Sequence, residues 1–193
     1  MSGQVESNEP TGRYPRTIED GAGSRLTFLG HAHDERGERL DVVSHVAPGH
    51  GPPPHVHHLQ EEAIVVREGR LAWSVDGGPE QLAEPGERVV FAPGVSHRFW
   101  NAGDEELVCE GTVRPPDNFE WFLSEVYAST RANGGHRPGA FDGAFLLTRY
   151  RSEFEMTAIP TPVRRVVMPL QAAIGRLLGR YGHFAGAPQP RRA

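Results

Sequence analysis

His55, Val56 and His57 stand in a segment, Gly49 to Gly69, that reads GHGPPPHVHHLQEEAIVVREG. Successive side chains of an extended strand point to opposite faces, so the imidazoles of His55 and His57 emerge on one side and aim at one spot. Two imidazoles so placed are half of a metal site. Glu62 follows His57 by five residues, and His97 lies a further thirty-five on, in a second segment, Gly86 to Asn101, that reads GERVVFAPGVSHRFWN. Glycines and prolines between the two mark where the chain must turn if these groups are to meet. By the same parity His58 faces away from His57 and Glu61 away from Glu62; His58 and Glu61 are set aside as ligands, with the exchange of Glu61 for Glu62 left open by parity alone.

Short strands must do the positioning. Runs rich in β-branched and aromatic residues occur at residues 25–29, 39–46, 62–67, 70–75, 87–92, 97–100 and 106–113. Turn signals separate them: Asp34 to Gly37, Glu68-Gly69, Asp76-Gly77-Gly78, Pro85-Gly86, Pro93-Gly94 and Ala102-Gly103-Asp104. Many short strands without helices between them predict an antiparallel sandwich or barrel rather than a βαβ sheet. No solenoid repeat is evident.

Past Pro115-Pro116 the period changes from two to that of a helix. Asp117 and Glu120 have capping-box spacing, and Phe119, Phe122, Leu123, Val126, Tyr127 and Thr130 share a face that ends at Asn133-Gly134-Gly135. A second helix is expected over about residues 141–155, burying Phe141, Phe145, Tyr150 and Phe154. A third begins with Thr161 as N-cap and Pro162 at the first helical position and runs over residues 162–181, where Pro169 should bend it. Val163, Val166, Val167, Leu170, Ile174, Leu177, Leu178 and Tyr181 form its apolar stripe, with Arg164, Arg165, Arg176 and Arg180 off it. Such a stripe packs on its own domain or a partner subunit, or lies on a membrane surface as a peripheral contact.

The two histidine segments resemble the paired motifs of the cupin superfamily. In that pattern a glycine precedes HxH by five intervening residues, four residues and a Glu follow, then six and a Gly, and later a glycine-led segment ends in PxGxxHxxxN. Gly49, His55, His57, Glu62 and Gly69 carry the first motif in full, and Gly86, Gly94, His97 and Asn101 carry the second. Ala92 stands where the family has proline, with Pro93 in the next position, a departure that touches a turn and not a ligand. The resemblance covers roughly residues 25–115. It implies an all-β core, a cupin-type jelly-roll β-barrel with the metal inside, here followed by three C-terminal α-helices, and commonly a homodimer. It implies His55, His57, Glu62 and His97 as the ligands. Three imidazoles and one carboxylate suit one divalent transition metal per subunit, among Fe, Mn, Ni, Cu and Zn, with open positions left in a six-coordinate shell.

Parity then suggests walls for a substrate pocket. Ile64 and Val66 share the face of Glu62 and Phe99 that of His97, either lining the pocket or filling the barrel. Phe91, Trp73 and His45 are further candidates whose facing the sequence leaves open. Asn101 reads as a turn residue or backbone tie, and His31, His33, His50, His136 and His183 as solvent-facing. The expected function is that of a metal-dependent dioxygenase or related oxidoreductase acting on a small oxygenated molecule, aromatic or enolisable, with Glu62 able to act as a base. Two alternatives stand beside it: a non-redox metal-dependent isomerase, decarboxylase or polyketide-type cyclase, and a non-enzymatic ligand-binding module.

Composition sets the remaining bounds. The chain has 193 residues, is 37% hydrophobic and suits one globular domain with extensions. The expected organisation is a disordered N-terminal arm over 1–17, a cupin domain over 18–116, a helical extension over 117–182 and a disordered tail over 183–193. A formal net charge of −5 gives no general reason to expect nucleic acid, and no helix-turn-helix segment is evident in the helical region. All twenty basic residues are arginine. Cys109 is the only cysteine, so no intrachain disulfide forms. Neither a secretory signal nor a long uninterrupted apolar run is present, and a cytoplasmic location is expected.

Overall fold

The structure, a computed structural model, describes residues 13–192. Its strands are β1 (Arg16–Glu19), β2 (Ser24–Asp34), β3 (Gly37–Val46), β4 (His55–His57), β5 (Glu61–Glu68), β6 (Leu71–Val75), β7 (Gln81–Ala83), β8 (Arg88–Phe91), β9 (Ser96–Asn101), β10 (Leu107–Arg114) and β11 (Phe154–Glu155). The helices are α1 (Phe119–Ala132), α2 (Ala140–Arg149) and α3 (Met168–Leu177), the last entered through a π-helical turn, Val163–Val167. Strands β1-β2-β3-β10-β5-β8 form one sheet and β11-β4-β9-β6-β7 the other, and every pairing is antiparallel.

Alternation of inward and outward residues along the strands buries one face of each sheet against the other. Ile64 and Val66 from β5, Phe91 from β8 and Cys109 from β10 meet Leu71 from β6 and Phe99 from β9 in this inter-sheet core. A second core lies under the helices, where Phe28, Leu40 and Val113 pack against Phe119, Phe122, Phe145, Leu146, Tyr150 and Phe184. The helical region is therefore built onto the larger sheet.

Several expectations for the flanks are corrected. Residues 1–12 lie outside the described residues, but Arg16–Glu19 pair with β2, so that part of the expected arm is strand. Segment 183–192, expected to be a loose tail, is held from below: Tyr150 Oη donates to the Pro188 carbonyl (2.8 Å), Asn118 Nδ2 to that of Gln189 (2.9 Å), and the Arg191 N–H to buried Glu153 (2.8 Å). The second helix ends at Arg149 rather than near 155, because Phe154 and Glu155 pair with His57 and Val56 as a strand. No capping box forms at α1. Asn118 is the N-cap, and the Glu120 carboxylate instead accepts hydrogen bonds from Arg16 (2.9 Å) and Tyr14. Thr161 likewise caps nothing, and Pro169 is met by the π turn, in which the Met168 N–H reaches the Val163 carbonyl.

The largest correction concerns the third helix. Most of its apolar stripe does not pack on the domain: Val166, Val167, Leu170, Ile174, Leu177 and Leu178 are all exposed, whereas Tyr181 at its end packs on Phe145. Ala172 and Gly175 are buried instead. The physical reason is close approach, since a Cβ on Gly175 would lie 2.9 Å from the Phe141 ring and closer still to the Tyr181 hydroxyl. Small residues bring the helix down on its less apolar side and leave the larger aliphatic side chains outward.

Candidate metal centre

Both sheets contribute to the site. His55 lies directly opposite His97 across the β4–β9 pair, so two ligands from distant segments become cross-strand neighbours. Entry into β4 is fixed by a close pass of the preceding loop over β9, where a Cβ on Gly51 would sit 2.7 Å from the Trp100 Cα and overlap the Phe99 carbonyl. Only glycine fits there. Asn101 braces the same junction. Buried at the end of β9, it donates to the Val46 carbonyl (2.8 Å) and the Glu105 carbonyl (2.7 Å) and accepts from the Gly103 N–H (2.8 Å). Beyond His57 the turn is closed by Gly94, at φ +80°, whose N–H donates to the His57 carbonyl (2.8 Å).

Glu62 comes from the facing sheet. One nitrogen or oxygen from each of His55, His57, Glu62 and His97 falls in a group whose members all lie within 4.8 Å of one another. Nε2 of His97 is 3.0 Å and Nε2 of His57 3.9 Å from Oε2 of Glu62. The three rings sit 4.4 to 5.4 Å apart between centroids. No other group of three or more metal-ligating side chains occurs among the described residues.

The protonation pattern fits a cation. His55 donates Nδ1–H to the Pro53 carbonyl (2.9 Å) and His97 donates Nδ1–H to that of Val95 (3.0 Å), which leaves Nε2 of each to face the cluster. Burial, with the neighbouring His97 ring, lowers His55 to about 4, and burial lowers His57 to about 3, so both are neutral near pH 7. Burial by itself would raise the Glu62 carboxyl, but the His97 hydrogen bond and the surrounding imidazoles outweigh it and hold the group at about 2. Nδ1 of His57 is buried without a hydrogen-bond partner. Three imidazoles around one ionised carboxylate make the donor set of a borderline divalent ion such as Fe, Mn, Ni, Cu or Zn. The four side chains can hold one such ion.

Aromatic rings wall the site. Phe91, opposite Glu62 in register, stacks on His97 at 4.1 Å and 8°, and Trp73 meets Phe91 edge-on. His45 turns away to bond Glu106 (2.8 Å). Ile64, Val66 and Phe99 are buried in the inter-sheet core with Phe91. His58 approaches Glu155 (3.6 Å) and Glu61 accepts from Arg36 (3.0 Å), both away from the cluster. His33, His50, His136 and His183 are exposed, whereas His31 is half-buried and bonded to Glu38 (2.8 Å).

Three neighbours had no signal in the motifs. Phe119 of α1 and Phe154 of β11 close over His57 at 5.5 and 5.6 Å, so the helical region supplies part of the wall. Tyr127 of α1 is near enough for the Glu62 charge, after burial and Asp20, to push its hydroxyl pKa up. Only the apolar periods of α1, for Phe119 and Tyr127, and of the expected second helix, for Phe154, hinted that these side chains face inward.

A family model for the cupin domain matches residues 42–110, the segment that holds all four donors. No curated protein matches the chain. Among solved structures, the chain is similar to an RmlC-like cupin from Shewanella frigidimarina, at 20% identity and a TM-score of 0.47, over 59% of this chain and 96% of that one. It is also similar to KdgF from Halomonas sp., at 18% identity and a TM-score of 0.43, over 50% of this chain and 84% of that one. A third, the DMSP lyase DddQ from Ruegeria pomeroyi, is 22% identical with a TM-score of 0.36, over 39% of this chain and 38% of that one. With the family match lying over both histidine segments and their donors brought to one point between two antiparallel sheets, residues 42–110 form a cupin domain.

Proposed function

We propose that this chain is a metal-dependent cupin enzyme, a dioxygenase or related oxidoreductase that acts on a small oxygenated molecule, aromatic or enolisable, within a jelly-roll barrel. The observation that carries this reading is the convergence of three imidazoles and one carboxylate within 4.8 Å, walled by Phe91, Phe119 and Phe154. The chemistry an ion supplies when bound there is polarisation of a substrate oxygen and one-electron exchange with dioxygen.

The residues around the cluster favour chemistry of that kind over a reaction run by protein acids and bases. The cluster holds a single carboxylate, and it is one of the four donors. Burial, and then the Glu62 charge, push the Cys109 thiol up to about 12, and Tyr127 is raised as well, so neither is a base near neutral pH. In this reading His55, His57, Glu62 and His97 hold the ion. Glu62 would take a proton from a substrate hydroxyl only on leaving the ion. Ile64, Val66 and Phe99 serve with the phenylalanines as apolar walls that exclude water. A single cysteine and no need of an oxidising compartment support a cytoplasmic setting, and the family's habit supports a homodimer. No helix among the described residues is long and apolar enough to cross a membrane.

The test is elemental analysis of the purified protein, combined with oxygen uptake against a panel of phenolic and dicarbonyl compounds, with His97→Ala as the control. Iron, manganese, nickel or copper together with uptake that the variant loses is the expected result. Zinc, with turnover unchanged when oxygen is removed, would replace the oxidative reading by isomerisation, decarboxylation or cyclisation. Absence of metal in the parent protein would leave a ligand-binding module.

A further inference from the structure

The outward face of the third helix has no partner within the domain. Val166, Val167, Leu170, Ile174, Leu177 and Leu178 stand at i, i+1, i+4, i+8, i+11 and i+12, the spacing of one apolar helix face, and Leu177 is 88% and Val166 64% exposed. A contiguous aliphatic face of this kind marks an interaction surface. Charge identifies what it meets. All 25 acidic residues precede Met156, and residues 156–193 carry six arginines and no acid at all. Arg165 and Arg176, both exposed, flank the aliphatic face without an ion pair among the described residues, and Arg180 lies over the Phe141 ring.

A groove of about 540 Å³ opens beside the start of the same helix, lined by Arg151, Arg164, Arg165, Met168 and Pro169 and also by Glu155. Glu155 is paired with Arg164. Nε of Arg164 and Oγ1 of Thr148 are buried at this groove without hydrogen-bond partners. The arginines outnumber the one carboxylate, so the groove suits an anionic group carrying several acceptor oxygens.

We propose that the π turn and α3 form a peripheral docking face for anionic lipid. The aliphatic side chains would sit at the headgroup–acyl boundary, while Arg165 and Arg176 contact phosphates and the arginine-lined groove takes a headgroup. The helix lies in the plane of the surface and does not cross it. A second copy of the chain is disfavoured as occupant. An isologous contact brings the same patch against itself, and here that sets arginines against arginines with no acid in the segment to answer them. This inference does not depend on the reaction at the metal centre.

The experiment is vesicle flotation of the full chain against phosphatidylcholine alone and phosphatidylcholine mixed with phosphatidylglycerol, at low and high salt. The expected result is recovery with the mixed vesicles only, lost as salt rises. In Arg165→Gln/Arg176→Gln the partition coefficient should fall about thirty-fold, the product of two surface-charge contributions. Leu170→Glu/Leu177→Glu should abolish recovery while metal content and the circular dichroism spectrum stay at parent values. Equal recovery with both vesicle types, or no effect of either double variant, would overturn the proposal. So would a parent dimer that Leu170→Glu/Leu177→Glu converts to monomer without any vesicle binding, which would make the face a protein interface.

Discussion

The donors between the sheets and the aliphatic face of α3 are opposite inversions of the ordinary partition between core and surface. His97 and His57 are polar and buried, at 2% and 5% exposure, whereas Leu177 is apolar and 88% exposed. Each inversion is unfavourable until something answers it: a cation for nitrogen atoms and a carboxylate removed from water, an amphiphilic surface for leucines left in it. The two regions also differ in rigidity of support. Pro53, Val95, Phe91 and Phe119 hold the imidazoles from several sides, while the outer leucines stand exposed on their helix. A site that binds an ion has to fix its donors in advance, and a face that meets a fluid surface does not.

The comparison breaks first at the cluster. His97→Ala removes one donor, the hydrogen bond to Glu62 and the stack on Phe91, so bound metal should fall from one ion per subunit to well below one, with affinity lower by at least about a hundredfold. Measured by elemental analysis after dialysis, retention of a full complement would reject the four-donor centre. Substitutions on the outer face of α3 should leave that number at one.

Next in size is Gly51→Ala. Its Cβ would meet backbone on β9, which cannot swing aside as a side chain can, so the loop into β4 must move. The expected loss is about 2–3 kcal/mol of stability, read from the urea midpoint, together with weaker metal binding because His55 shifts with the Pro53 carbonyl. Asn101→Ala is smaller, about 1–2 kcal/mol, since it leaves the carbonyls of Val46 and Glu105 and the Gly103 N–H to find water. An unchanged midpoint would mean that this brace contributes nothing.

The cluster was the more legible of the two regions, for a physical reason. HxH parity, the position of Glu62 and the histidine of the second segment are local facts, and the His55–His97 register needed only that the two strands pair. Phe119 and Phe154 were hidden because they reach His57 from outside the motif segments. Phe154 fitted a helical period with Phe141, Phe145 and Tyr150, yet pairing with β4 overrode it. Glu120 had the spacing of a capping box but was drawn off by Arg16 and Tyr14, partners a hundred residues distant. In the third helix the period correctly grouped the apolar residues but carried no information about what covers them. The cue that mattered was Ala172 with Gly175, small enough to let the opposite side approach Phe141.

The smallest expected change in stability belongs to Leu177→Glu. At 88% exposure the side chain loses almost no burial on replacement, so the unfolding midpoint should move by no more than about 0.5 kcal/mol equivalent. The same substitution puts a carboxylate among residues flanked by Arg176 and Arg180, where an anionic surface would repel it. Recovery on phosphatidylglycerol vesicles should therefore drop sharply while the midpoint and metal content hold. A single residue that changes surface binding without changing stability would separate the two inversions, because no buried donor behaves that way. If Leu177→Glu instead lowered the midpoint by more than about 2 kcal/mol, the side chain would have to be buried in solution, and the outer face of α3 would be part of a core or a subunit contact rather than a free surface.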